Sequence, residues 1–503
     1  MAGTEAARES SPAQRDGVRH DAVPRTQDDA HDQDDSYKWK VLFVVGSGIY
    51  MATLDSGIVN VALPVMTREF ATSLVLAQWV VLGYVVCITG LLLPAGRLAD
   101  TVGRKEVFLG GFVLFGLASA LCGLAPSVGW LIAARVLQGV GGALVQANTG
   151  ALVTQAFPPG ERGRALGLQG SIVSLGLLSG PVVGGLITEH FGWRWAFYVN
   201  VPLSAVAAPL GWRLLRPSLA ARGQRFDLAG AVLFLVAVAA LLLGLNQGAG
   251  WGWHSPVTLA VLATCGAAAA AFAWVEGHVA QPTVDLTLFR NRAFTAAAGS
   301  AFLSFLALSG VTLLMPFYLV YVLGLRPDQT GVLLIAIPAT VAGIAPFSGA
   351  LSDALGSRLI ASVGLLLESA GLASLVFLPA RGAAIWVAAR LALIGLGVAF
   401  FQSPNSSALF GSVDRARLGV VGGFQALTRN LGQSLGQAVA GVLWTTVVMA
   451  AAAGADAQVA QATQAPPAAM LAGFRVAFTW ATGLALLATL TSLLGRPPDA
   501  KRR

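Results

Sequence analysis

Charge is what this sequence has least of. Only 11% of its 503 residues are Asp, Glu, Lys or Arg, against about 25% in soluble domains, which excludes an ordinary water-soluble globular protein. Cysteine is scarce as well. Cys87, Cys122 and Cys265 are the only three; all fall inside apolar runs without metal-ligand spacing, so they read as reduced core residues. No GxxxxGK[ST] is present, Lys105 being followed by Glu106, so the phosphate-cradling loop of an ATP-driven machine is missing. HExxH is missing too, and no catalytic constellation or cofactor site replaces it. Residues 1–37 have no apolar stretch and so form no secretory signal. Rich in Asp, Arg and Ser, with "QDDAHDQDD", they read as a disordered tail.

What the chain has instead is apolar length. Hydrophobic residues make up 55% of it and the mean hydropathy is +0.71. A membrane-crossing helix needs about 20 mainly apolar residues. Fourteen such runs are expected: 41–66, 74–95, 106–125, 128–156, 165–189, 196–215, 227–246, 256–275, 295–323, 330–352, 359–379, 384–409, 418–449 and 473–494. The fold class is therefore an all-α polytopic membrane protein. A net charge of +8 would suggest nucleic acid in a soluble chain. Here the cations sit in short loops, so no nucleic-acid partner is expected.

Those loops orient the chain, because Lys and Arg gather on the cytoplasmic side. With the amino terminus inside, fourteen cations fall in cytoplasmic loops, from Arg97, Arg104 and Lys105 through Arg213, Arg216, Arg222 and Arg225 to Arg415 and Arg417. The opposite loops hold Arg68, Arg194, Arg326 and Arg381. Both termini are then cytoplasmic in a multi-pass protein of the cell inner membrane.

The two parts of the chain also repeat. "GRLADTVGRK" (Gly96 to Lys105) and "GALSDALGSR" (Gly349 to Arg358) each place Asp four residues after Gly, with Gly three further on. Arg135 in "AARVLQGVGGALVQ" lies 35 residues beyond Asp100, and Arg390 in "AARLALIGLGVAFFQ" lies 37 beyond Asp353. The expected organisation is a tail over 1–37, a six-helix bundle over 38–215, a linker with two extra helices over 216–290, a second six-helix bundle over 291–495, and a tail over 496–503. Repeated bundles about an axis along the membrane normal are a secondary-transporter plan, with the substrate path between them.

These motifs resemble the major facilitator superfamily across residues 38 to 495. "GRLADTVGRK" looks like its signature between helices 2 and 3, and "RVLQGVGGA" like the helix 4 signature with a buried Arg. "LDSGIVNVALP" and "GLLSGPVVGG" look like those of its drug:proton antiporters. "WRWAFYVNVP", "FDLAG" and "LFRNRAF" look like the fourteen-helix branch. The resemblance implies the major facilitator fold, two six-helix bundles plus two inserted helices. It also implies a monomer that exports small amphipathic drugs or antibiotics, cationic ones included, in exchange for protons, without ATP or cofactor. A nutrient or osmolyte symporter on the same fold is the alternative, against which the helix 5 motif argues; a non-transporting receptor is a further one.

Few ionisable groups lie deep in the runs: Asp55, Glu368, Arg135, Arg390 and Arg429. A charge inside hydrocarbon costs at least about 3 kcal/mol, so such groups face a partner or a cavity. Asp55 is expected on a wet cavity wall with Arg135 nearby, as the protonation or cation-recognition site. A nearby cation favours its charged form and burial its neutral form. Glu368 and Arg390 form either a plain ion pair or, with Arg429, part of the coupling path. In the family, Gly96, Asp100, Gly103, Arg104, Asp353 and Arg358 would serve the gate. Gly176, Gly180, Pro181, Gly184 and Gly185 of helix 5 would shape a tight contact between the halves, an alternative being ordinary small-residue packing. Gly432, Gly436 and Ala440 echo that spacing. Trp79, Tyr84, Phe401 and Gln402 are candidates to line the cavity, interfacial belts being the alternative.

Overall fold

A computed structural model describes residues 35–72, 74–217, 227–279, 286–414, 417–453 and 462–494. Of the tail expected over 1–37, residues 1–34 lie outside these residues, while 35–37 begin the first helix; the tail expected over 496–503 lies outside as well. So do 218–226 and 280–285 of the linker, 454–461 between the last two expected spans, and Arg222, Arg225 and Arg415.

Hydrocarbon offers the backbone no partners, so each apolar run must satisfy its own peptide groups as helix. The first half is α1 (Asp35–Glu69), α2 (Leu74–Val102), α3 (Arg104–Gly123), α4 (Val128–Ala156), α5 (Arg162–His190), α6 (Trp195–Tyr198) and α7 (Asn200–Leu214). The inserted pair is α8 (Leu228–Trp251) and α9 (Pro256–His278). The second half is α10 (Arg292–Phe317), α11 (Pro327–Leu334), α12 (Ala336–Leu355), α13 (Ser357–Val376), α14 (Ala384–Gly411), α15 (Leu418–Ala453) and α16 (Pro467–Leu494).

Thirteen of the described helices are long and apolar enough to cross a membrane, where the sequence led us to expect fourteen. The difference lies in the sixth run. Pro202 has no N–H to give the Tyr198 carbonyl, and the rod divides into a 4-residue turn, α6, and the 15-residue α7. Val199 still donates to the Trp195 carbonyl at 3.1 Å, so the two pieces follow one another directly.

Successive helices alternate in direction, so the turns before α3, α5, α8, α10, α13 and α15 share the face where α1 begins and α16 ends. Side chains tie this terminal face together. Lys38 Nζ meets Glu161 Oε2 at 2.6 Å, and the Arg216 N–H donates to the Tyr37 hydroxyl at 3.2 Å. The halves meet along two seams, α2 against α15 and α5 against α12. The inserted α8 packs on α2 and on α15, and α9 packs on α8, which makes the pair peripheral.

Candidate functional site

In the half of α1 remote from the terminal face, Asp55 is fully buried, and so is Arg135 of α4. Arg135 Nη1 donates to Asp55 Oδ2 at 2.7 Å. Two amides complete the shell, Gln138 Nε2 at 3.0 Å and Asn200 Nδ2 at 2.8 Å, both on Asp55 Oδ1. The guanidinium is held in turn: Nε donates to the Val80 carbonyl at 2.9 Å, Nη1 to Gln138 Oε1 at 2.5 Å, and its plane lies 4.2 Å from the centre of the Tyr84 ring. Gln138 also donates to Ser119 Oγ at 2.8 Å. Five helices thus meet in one network, with α4 and α7 supplying the donors to the carboxylate.

This corrects the expectation of a wet cavity wall. An ionised carboxylate can stay in a dry interior only if paired and hydrogen-bonded, and here three donors satisfy it. Sequence reasoning placed Asp55 with Arg135 but missed Gln138, Asn200 and Ser119. The signals were present in "RVLQGVGGA" and "YVNVP", where a lone amide inside an apolar helix asks for a buried partner.

At the terminal face, Asp100 closes the seam between α2 and α15. It accepts the backbone N–H of Gly419 and of Val420, each at 3.0 Å, at the start of α15, where free amides and the helix dipole favour an anion. Arg104 grips the same carboxylate through Nε at 3.0 Å and Nη2 at 2.8 Å. Asp353 repeats the arrangement on α5, accepting from Gly163 N at 2.9 Å and Arg164 N at 3.0 Å. Gly96 and Gly349 let the backbones touch: a Cβ on Gly96 would sit 2.3 Å from the Gly419 oxygen, and one on Gly349 2.1 Å from that of Gly163. Gly103 and Gly356 turn the chain with φ of 127° and 95°, a region L side chains rarely enter. The copies differ at the cation. Arg358 leaves Asp353 alone and donates to the Leu493 carbonyl.

The small-residue motif of α5 does not face the other half. Cβ atoms on Gly180 and Gly184 would lie 2.8 Å from the Cα atoms of Gly57 and Ile58, and one on Gly176 would collide with Thr53. The seam therefore joins α5 to α1 inside the first half, Pro181 lying within the unbroken helix. Gly185 meets nothing within 4 Å. The contact with the other half is made lower down by Gly163 and Gly167, the latter against the Ala345 carbonyl, with Ser171 donating to the Ala342 carbonyl at 2.6 Å. The second half mirrors this, Gly432 and Gly436 seating α15 on Phe305 and Leu306 of α10.

Glu368 and Arg390 do not pair. Glu368 is fully buried in α13, and Ser304 Oγ reaches both its oxygens, at 3.0 and 2.9 Å. The residue of α14 that meets its backbone is Gly397; Arg390 sits seven residues, about 10 Å, further along, beside Tyr318. Phe401 is buried against Gly364 and Tyr84 under Arg135, so neither lines an open cavity; Gln402 is half-buried. The string Gly432 to Gly436 has the letters of a nucleophile elbow, GxSxG, but lies inside the continuous α15 and not at a strand-to-helix turn. Among the described residues no cluster of His, Cys, Asp or Glu could hold a metal ion.

Two repeated helical halves, a buried ionisable network in one and reciprocal locks at one face define a secondary-transporter architecture. The chain belongs to the Major Facilitator Superfamily, whose family model matches residues 45–437. It is 38% identical over 401 residues to the multidrug resistance protein Stp of Mycobacterium tuberculosis, covering 80% of this chain and 74% of that one. It is 34% identical over 413 residues to the tetracenomycin C resistance and export protein of Streptomyces glaucescens, with 82% and 76% covered. The fold superposes on the human organic anion transporter MFSD10 with a TM-score of 0.63 at 17% identity, over 90% of this chain and 99% of the other.

Proposed function

We propose that this chain exports amphipathic drugs or antibiotics across the cytoplasmic membrane in exchange for protons. In this reading the terminal face is cytoplasmic and the protein works as a monomer, without ATP or cofactor. The observation that carries the reading is the Asp55–Arg135 contact at 2.7 Å inside a membrane-spanning bundle. A carboxylate so held is stable while its three donors stay in place. When α1 shifts against α4 and α7, the donors withdraw, and a carboxylate left in a dry site takes up a proton instead. Helix movement and protonation are then one event.

The locks supply the other half of the cycle. With Asp100 and Asp353 engaged, the halves are clamped at the terminal face, and substrate entry from that side requires both to open. Asp55, already occupied by three donors, can receive a cationic drug only after its own network has opened. Relatives named for drug resistance and for export support the direction of transport.

The test uses everted membrane vesicles energised by respiration, with a pH-sensitive dye reporting the gradient. Adding a transported drug from a panel of antibiotics and dyes should discharge part of the gradient in vesicles with the wild-type chain. Asp55→Asn should abolish that discharge. Unchanged drug-linked proton flux in Asp55→Asn would sink the coupling assignment.

A further inference from the structure

We propose that Arg429 is the recognition point for an acidic group on the exported compound, in a polar site between the halves. Arg429 lies eleven residues inside α15, about 17 Å along the axis and thus near mid-membrane. No ion pair, hydrogen bond or ring contact to it occurs among the described residues, and no carboxylate lies close enough to act on it. It is half-buried, so its guanidinium borders open space. Of the other two deep arginines, Arg135 is fully enclosed and paired, and Arg390 lies six residues from the start of α14, beside Tyr318. An unpaired cation in a membrane span faces a cavity or a ligand by default.

The neighbours on the facing helices follow from packing. At the terminal side, Gly150 of α4, Ser406 of α14 and Gln425 of α15 meet: Gln425 Nε2 donates to Ser406 Oγ, and a Cβ on Gly150 would lie 3.5 Å from Gln425 Oε1. One turn further from that face on each helix, on the same side of it, stand Gln146, Gln402 and Arg429. The half-buried Gln146 has an Oε1 atom shielded from solvent with no protein hydrogen-bond partner among the described residues, and a buried acceptor calls for a donor. Two amides and a guanidinium thus stand at one level of the seam between the halves. Arg presents a rigid fork of N–H donors that fits a carboxylate or a similar planar anion, and the amides suit the polar atoms beside it.

This inference deepens the export reading above and rests on it only for the direction of transport. The test therefore measures binding on purified protein by fluorescence polarisation. The probes are a xanthene dye bearing a free carboxylate and the methyl ester of the same dye. The wild-type chain should bind the acid at least about tenfold more tightly than the ester, the span of a charged hydrogen bond. Arg429→Gln should erase that preference by weakening the acid far more than the ester, and Arg429→Lys, which keeps the charge and guards against a misfolded variant, should retain part of it. Equal binding of acid and ester by the wild type, no saturable binding of the acid, or an equal loss of both in Arg429→Gln overturns the proposal. Failure of proton exchange in vesicles, with acid preference intact, would instead count against the export reading alone.

Discussion

Asp100, at the end of α2, accepts the backbone N–H of Gly419 at 3.0 Å, across 319 residues of sequence. Asp353 does the same to Gly163 at 2.9 Å. Each half thus holds the other by the first amides of a helix. The two locks are not equal, however: Asp100 is 4% exposed and also gripped by Arg104, whereas Asp353 is half-buried and has only the amides.

Asp100→Asn should therefore slow export more than Asp353→Asn, with drug binding retained in both. Losing a charged hydrogen bond costs about 1.5–3 kcal/mol, enough to shift the open–closed balance by roughly tenfold or more. Initial transport rates and dye binding, measured side by side, check this; a larger defect in Asp353→Asn contradicts it.

The Asp55 shell predicts a graded series. Asp55→Leu strands the buried Arg135 and should lower stability by about 3–5 kcal/mol. Asn200→Leu, which removes one of three donors, should cost about 1–3 kcal/mol. Thermal melts of the detergent-purified variants order them, and a melt of Asn200→Leu below that of Asp55→Leu would refute the assignment.

Glu368 has the Ser304 hydroxyl for company and no ion-pair partner among the described residues. Glu368→Gln keeps the bond to Ser304 and should melt within about 1 kcal/mol of wild type. Glu368 and Arg390 variants should be additive, since groups without shared partners do not couple. A coupling energy above about 1 kcal/mol in the double-mutant cycle would restore the ion pair that the structure lacks.

Two glycines of α5 separate packing from mere composition. Gly180→Ala drives a methyl toward the Gly57 backbone 2.8 Å away, while Gly185→Ala enters open space. Overpacking costs roughly 1–3 kcal/mol, so the first should express poorly and melt early, and the second should behave as wild type in a fluorescence-detected gel-filtration assay.

Glu69 closes the far end of α1 through Arg194 and, at 2.6 Å, Trp193 Nε1. The Arg194 hydrogen bond holds this carboxyl below its usual range. Its contribution is present above the ordinary carboxylate value and fades as pH falls through the lowered one. The melting difference between wild type and Glu69→Gln should be small, as both partners are part-exposed, and should vanish on acidification.

Composition, orientation signals and the repeat made the fold legible, because a span, a loop cation and a duplicated Gly–Asp–Gly spacing are all local features. The pairing of Asp55 with Arg135 was legible for the same reason that both are rare: an unmatched charge in an apolar run needs its opposite. Contacts set by helix rotation were not. Which face of α5 meets α1 and which meets α12 depends on about 100° per residue accumulated from an end that sequence fixes only loosely. The same uncertainty let Glu368 and Arg390 look like partners. Pro202 was visible, but its division of the sixth span depends on how far the neighbouring helices support the freed carbonyl.

Both locks read main-chain amides and are framed by glycines. The lock therefore constrains only a few backbone positions, Gly163 and Gly419 among them, where a Cβ would crowd the carboxylate. Amino-acid replacements at the compound-facing positions can therefore accumulate without loosening the clamp, so that selectivity and switching are able to evolve separately. A lineage under pressure from a new toxin could redraw the walls of the pathway and inherit the hinge unchanged.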